Sequence, residues 1–157
     1  MHLRRRIVLL VLCVLAIGPT AAADSVLELI ASPDKLQTVD QTIGTGPLVR
    51  SGAWVVLHYT GWVFDATAPD GKGAKFDSSR DRGESLSFLY GYKRALPGLE
   101  KGLAGMRVGG HRTILVPPKL GYDGVKYPLP KDVPPRSTLL FEVELTDVVA
   151  QSAPPDE

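Results

Sequence analysis

The segment Thr138 to Val149 alternates cleanly, with Leu139, Phe141, Val143 and Leu145 on one face and Glu142, Glu144 and Thr146 on the other. Successive strand side chains point to opposite faces of a sheet. This segment therefore reads as a strand with one dry face and one wet face. A second long run, Trp54 to Phe64, is rich in β-branched and aromatic residues. Its odd positions are Val55, Leu57, Tyr59, Gly61 and Val63, and its even positions include Trp54, Val56, Trp62 and Phe64. Both sets are partly apolar, so this strand is expected to be covered on one face and partly covered on the other. Shorter strands are expected at 36–43, Lys75–Asp77, Ser85–Leu89 and His111–Val116. One helix is expected over Ala95 to Leu103, with Pro97 in its first turn, where a missing N–H costs nothing. Gly98 and Gly102 weaken that helix by about 1 kcal/mol each relative to Ala, so packing must hold it. Residues 65–73, with Pro69, Asp70, Gly71 and Gly73, read as a loop. Residues 117–136 carry six of the chain's 13 prolines and read as a long ordered loop. With no βαβ rhythm, the fold class is α+β: a five- to six-stranded antiparallel sheet and one short helix.

The N-terminus has a different logic. Arg4, Arg5 and Arg6 precede an unbroken apolar run from Ile7 to Ile17, and Ala21-Ala22-Ala23 follows. The run is too short for a hydrocarbon core, which needs about 20 residues. A basic start, a short apolar middle and a small-residue end read as a secretory signal peptide over 1–23, the alternative being an N-terminal membrane anchor that is never cut. Cleavage after Ala23 would leave 15 basic against 17 acidic side chains and no cysteine. A thiol-free chain suits an oxidising compartment, and its near-neutral charge offers no case for nucleic acid. The expected organisation is a signal peptide at 1–23, an arm at 24–35, one domain at 36–150 and a tail at 151–157. The expected location is outside the inner membrane, in the periplasm, with no membrane contact after cleavage.

The usual reactive constellations are missing. His58 and His111 have no close partners at ligand spacing, so no metal site and no cofactor are expected. Ser78 and Ser79 lack the glycine-flanked elbow of a hydrolase. Asp77, Asp81 and Glu84 lie beside Arg80 and Arg82 and read as a solvated salt-bridge cluster. What remains is an apolar set scattered over several segments, with Tyr122 and Val133 in the proline-rich loop. An aromatic hydroxyl and the Asp77 carboxylate at the edge of an apolar hollow would suit a small neutral ligand.

Five motifs occur in order: His58-Tyr59-Thr60-Gly61, Lys75 to Arg82 (KFDSSRDR), Leu96 to Leu103 (LPGLEKGL), Gly121-Tyr122, and Pro134-Pro135 followed by Thr138 to Leu145 (TLLFEVEL). Together they resemble the FKBP-type peptidyl-prolyl cis–trans isomerases over residues 36–149. The resemblance implies a sheet wrapped around the helix, with a pocket between them. It assigns Tyr59, Asp77 and Tyr122 to catalysis. It assigns Phe76, Arg82, Leu86, Phe88, Leu96, Leu99, Val133 and Phe141 to substrate binding, with Leu96 acting through its backbone N–H. It implies isomerisation of X–Pro bonds during folding of exported proteins. The implied partners are unfolded or partly folded proline-containing polypeptides and macrolide inhibitors, and the implied state is a monomer. The alternative is a proline-segment-binding or chaperone module of the same fold with weak or no turnover. Three positions depart from the family pattern. Leu99 stands where tryptophan is frequent, Leu86 where an aromatic is frequent, and Asp132 where an apolar residue is common.

Overall fold

The structure, a computed structural model, describes residues 33–126 and 128–150. The signal peptide, most of the 24–35 arm and the 151–157 tail lie outside the described residues. The elements are β1 (Gln37–Thr42), β2 (Ala53–Phe64), β3 (Lys72–Ser78), β4 (Leu86–Leu89), α1 (Pro97–Gly102), β5 (His111–Val116) and β6 (Leu139–Ala150). All strand pairs are antiparallel, in the order β1-β5-β6-β2-β3, with β4 also pairing with β2.

The two long alternating runs form the centre of the sheet. β2 pairs with β6 from Ala53 to Val63. The opposite edge of β2 is divided between two strands. β4 takes Trp54 to Leu57, and β3 takes Thr60 to Phe64. Between them the chain leaves the edge, and Ser79 fills the break. Its backbone N–H donates to the Tyr59 carbonyl at 3.0 Å, and its Oγ accepts from the Tyr59 N–H at 2.9 Å. Ser79 is fully buried, and these bonds satisfy the backbone of Tyr59 where neither strand can.

The dry face behaves as the alternation predicts. Val55, Leu57, Leu139, Phe141, Val143 and Leu145 are buried in one core with Leu99, Leu103, Ile114 and Val116. The other face carries a second, smaller cluster of Leu115 and Leu140 against Val39, Trp62 and Phe64. That cluster accounts for Trp62 and Phe64 among the apolar even positions of β2, while Trp54 at the far end stays exposed.

The helix is shorter than the 95–103 expected, with Leu96 at its N-cap and Pro97 opening it. Its glycines are there for closeness. A Cβ on Gly98 would lie 2.3 Å from Val116 Cγ1, and one on Gly102 would lie 2.6 Å from Ile114 Cγ2. So α1 lies directly on β5, and the intrinsic weakness of two helical glycines is offset by that contact. Arg112 holds the other end of the helix. Its Nη1 donates to the carbonyls of Gly102 and Ala104, each at 2.8 Å. It also pairs with Asp40 across the β1–β5 register, Nε to Oδ1 at 2.6 Å and Nη2 to Oδ2 at 2.9 Å.

β3 starts at Lys72, three residues before the expected Lys75. The loop closes early because Asp65 N–H bonds to the Gly71 carbonyl at 3.0 Å, and Gly71 takes φ 70°. Residues 117–136 are a loop, as expected, but they include two single 3₁₀ turns, Pro118–Leu120 and Tyr122–Gly124. At the far end of the loop, Thr138 Oγ1 donates to the Pro33 carbonyl at 3.2 Å.

Candidate active site

The sheet's dry face, α1 and the 117–136 loop bring four aromatic rings together. Tyr59 meets Phe141 edge-on with centroids 6.1 Å apart, Phe141 meets Phe76 at 5.8 Å, and Phe76 meets Tyr122 at 6.3 Å. These T-shaped contacts suit the ring quadrupoles. Gly61 makes them possible. A Cβ there would lie 2.7 Å from Phe76 Cζ and 2.9 Å from Phe141 Cε1. A glycine inside a strand signals such an approach, but Gly61 was read only as part of a motif.

A polar clasp closes one side of this cluster. The Tyr59 hydroxyl donates to Asp77 Oδ2, and Arg82 Nη1 donates to Asp77 Oδ1. Arg82 Nη2 also donates to the Tyr59 hydroxyl at 3.1 Å, and its guanidinium lies 5.7 Å from the Tyr59 ring centroid. Asp77 belongs to β3 and Arg82 to the segment that leaves the sheet edge, so the break between β3 and β4 assembles the clasp. Burial pushes the Tyr59 hydroxyl pKa up, and its bond to Asp77 adds to the rise. Tyr122 is raised to about 12, chiefly by burial and then by the Asp77 charge. Its hydroxyl makes no hydrogen bond among the described residues and stays a neutral donor across the physiological range. The Leu96 N–H likewise has no backbone partner, although its carbonyl accepts from Glu100 N–H at 2.9 Å.

The remaining candidates divide by depth. Leu86 and Leu96 are partly buried against the core. Phe88, Leu99, Val133 and Phe141 expose 4% or less and belong to the main core. Phe88 lies opposite Val55 in the β2–β4 pairing.

The acidic loop is not one solvated cluster. Asp77 and Arg82 form the clasp, while Asp81 pairs with Lys75 at 2.6 Å and Arg80 crosses to Glu144 on β6. Two positioning residues were missed. Ser79 also shares a 3.0 Å hydrogen bond with His58 Nδ1. Glu100, buried on α1, accepts from Gly91 N–H at 2.7 Å and Lys93 N–H at 3.3 Å, fastening the segment that leads into Leu96. An acid on the dry side of a six-residue helix was the available signal for Glu100. Nothing local marked Ser79.

An antiparallel sheet with one short helix against its dry face, and an aromatic cluster closed by a polar clasp, defines an α+β domain class. The comparisons with known proteins narrow that class. The profile described as FKBP-type peptidyl-prolyl cis–trans isomerase matches residues 46–146. The chain is 38% identical over 143 residues to FK506-binding protein 2B of Rhizopus delemar, covering 85% of this chain and 62% of that protein. It is 38% identical over 97 residues to an FK506-binding protein of Neisseria meningitidis, covering 62% of this chain and 81% of that one. Among solved structures, FkpA from Escherichia coli superposes with TM-score 0.58 at 30% identity, covering 82% of this chain and 63% of that chain. AtFKBP13 gives the same TM-score at 33% identity, with 71% and 91% coverage. The chain belongs to the FKBP-type peptidyl-prolyl cis–trans isomerase family. Its activity is the interconversion of X–Pro peptide bonds.

Proposed function

We propose that the aromatic cluster of Tyr59, Phe76, Tyr122 and Phe141, closed by the Tyr59–Asp77–Arg82 clasp, is where the prolyl bond rotates. X–Pro isomerisation is slow, taking tens to hundreds of seconds, because rotation breaks amide resonance across a barrier of about 18–20 kcal/mol. The twisted amide is less polar than the planar one, so a dry aromatic wall favours it over the hydrated ground state. Resonance places negative charge on the amide oxygen. The Asp77 carboxylate, held in place by Tyr59 and Arg82, opposes that charge and favours the twisted form. The Tyr122 hydroxyl and the Leu96 N–H hold neighbouring carbonyls of the substrate chain. Leu86 and Phe76 contact the prolyl ring, while Phe88, Leu99, Val133 and Phe141 keep the base rigid. A millionfold acceleration corresponds to about 8 kcal/mol off the barrier. No covalent step or general acid is needed.

The working place we propose is outside the inner membrane, on exported proline-containing chains that are still folding. The support is the basic, then apolar, then small-residue pattern of residues 1–23. Among the described residues no helix is long and apolar enough to cross a membrane. We also propose that macrolides bind the same cluster, with Leu99 giving less flat aromatic surface than tryptophan would. The observation that carries the whole reading is the clasp over the four rings. An isomerase assay on the purified chain with a short X–Pro peptide, with and without a macrolide, tests it. Turnover suppressed by the macrolide is expected. Binding without turnover would sink the catalytic assignment.

A further inference from the structure

Beside the Leu96–Pro97 corner lies a hollow of about 730 Å³. Tyr90, Ala95, Pro97 and Val125 give it a mostly apolar lining. Three lysines, Lys93, Lys101 and Lys126, stand around it, all exposed. None of their ammonium groups has an ion-pair partner among the described residues. The one acid in the wall, Glu100, directs Oε1 to the amides of Gly91 and Lys93. The Tyr90 hydroxyl makes no hydrogen bond among the described residues and is a free donor to a peptide group.

The residues that line the hollow adjoin, along the chain, two groups of the proposed prolyl site. Ala95 and Pro97 flank Leu96, whose N–H faces no backbone partner. Gly124 and Val125 follow Tyr122 in the same 3₁₀ turn and its cap. A polypeptide held at Leu96 and Tyr122 passes over these strips within a few residues of its proline, each extended residue spanning about 3.3–3.6 Å. Apolar lining with unpaired cations at the rim matches a segment that has an apolar side chain among acidic ones. A basic segment would meet three like charges.

We propose that this hollow is a specificity subsite for the client chain, selecting X–Pro segments flanked at a few residues' distance by an apolar side chain beside Asp or Glu. The inference rests on the isomerase reading above and extends it to the class of substrate. It explains why a small apolar site, which by itself recognises little beyond a proline, sits beside three uncompensated lysines. The subsite discriminates through KM, since it contacts a part of the chain that does not rotate.

The test compares three peptides with the purified chain. One is a short X–Pro tetrapeptide. The other two share one sequence with a leucine three residues from the proline, bracketed by glutamates in one and lysines in the other. We expect the acidic-flank peptide to exceed the basic-flank one about tenfold in kcat/KM, mostly through KM, and the gap to narrow with salt as exposed charges are screened. In the double variant Lys101→Glu, Lys126→Glu the ratio collapses or inverts. Equal kcat/KM for the two flanked peptides in the parent overturns the inference, as does a preference that survives in the double variant. Absent turnover on the tetrapeptide counts instead against the isomerase reading. In that event, fluorescence anisotropy of the two flanked peptides still decides the subsite, and equal affinities overturn it.

Discussion

Among the described residues two aspartate–arginine pairs form, and they sit in different surroundings. Asp77 and Arg82 are five residues apart and meet at the rim of the aromatic cluster. Asp40 and Arg112 are 72 residues apart and meet across the β1–β5 register. The Arg112 side chain is 10% exposed and that of Arg82 47%, while the two aspartates are alike at 37% for Asp40 and 32% for Asp77. The larger difference lies in the remaining donors. Arg112 directs Nη1 to two carbonyls at the end of α1, so the pair binds strand to helix. Arg82 gives its second nitrogen to a tyrosine hydroxyl that itself lines the cluster. On the proposed reading, the first pair orders groups at the site while the second ties elements together. Burial of the arginine sets the energetic scale of each: removing Arg112 strands buried acceptors, whereas an exposed pair contributes little.

The largest expected effect is on the Asp40–Arg112 pair. Arg112→Met leaves Asp40 and the Gly102 and Ala104 carbonyls without their donor, and stability should fall by about 2 kcal/mol, the scale for buried acceptors that lose a charged donor. That corresponds to a Tm drop of roughly 7 °C, read by thermal unfolding. Well below that Tm, kcat/KM should stay near the parent value. An activity loss at unchanged Tm would erase the distinction between the pairs.

Asp77→Ala should do the reverse. Turnover should fall by about tenfold, as expected for removing one charge-assisted group at a site. Tm should move by no more than about 2–3 °C, because an exposed pair contributes below about 1 kcal/mol. A large Tm loss with intact activity would make the clasp a second structural pair.

The smallest effect is expected at Tyr122→Phe. Losing one neutral donor should lower kcat/KM about fivefold, the equivalent of roughly 1 kcal/mol. The pH dependence sharpens the test. With Tyr122 at about 12 in the folded chain, its hydroxyl still donates at pH 10. Activity should therefore show no tyrosine ionisation near pH 10. The unfolded chain loses that proton near pH 10. The stability contribution of the raised pKa is thus whole below pH 10 and declines as pH rises from 10 to about 12. In Tyr122→Phe this part of the alkaline decline should be absent. A parent whose activity collapses at pH 9–10 would mean the hydroxyl is neither buried nor near Asp77.

Much of this architecture was legible in the sequence because its causes are local. Period-two alternation placed β2 and β6 within a residue of their ends, since burial of one sheet face leaves its trace on every second residue. His111–Val116 matches its observed limits, and Pro97 put the first turn of α1 in the right place although the expected start at Ala95 was two residues early. The apolar even positions of β2 announced a second covered face, which Leu115 and Leu140 supply. Ordered motifs carried the family, which the profile and the relatives bear out. Other features depend on which strand lies beside which, and no local signal encodes that. The division of one β2 edge between β3 and β4 opens the gap that Ser79 fills and Arg82 leaves by. The β1–β5 register sets Arg112 opposite Asp40, and the resulting pair determines where the helix ends. Gly61 is only a small residue until two rings from β3 and β6 arrive over it. Sequence determined the elements and the chemistry they carry, because propensity and periodicity act over a few residues. Tertiary structure decided which acid meets which base and which donors stay free, because those partners are brought together by register and packing across tens of residues.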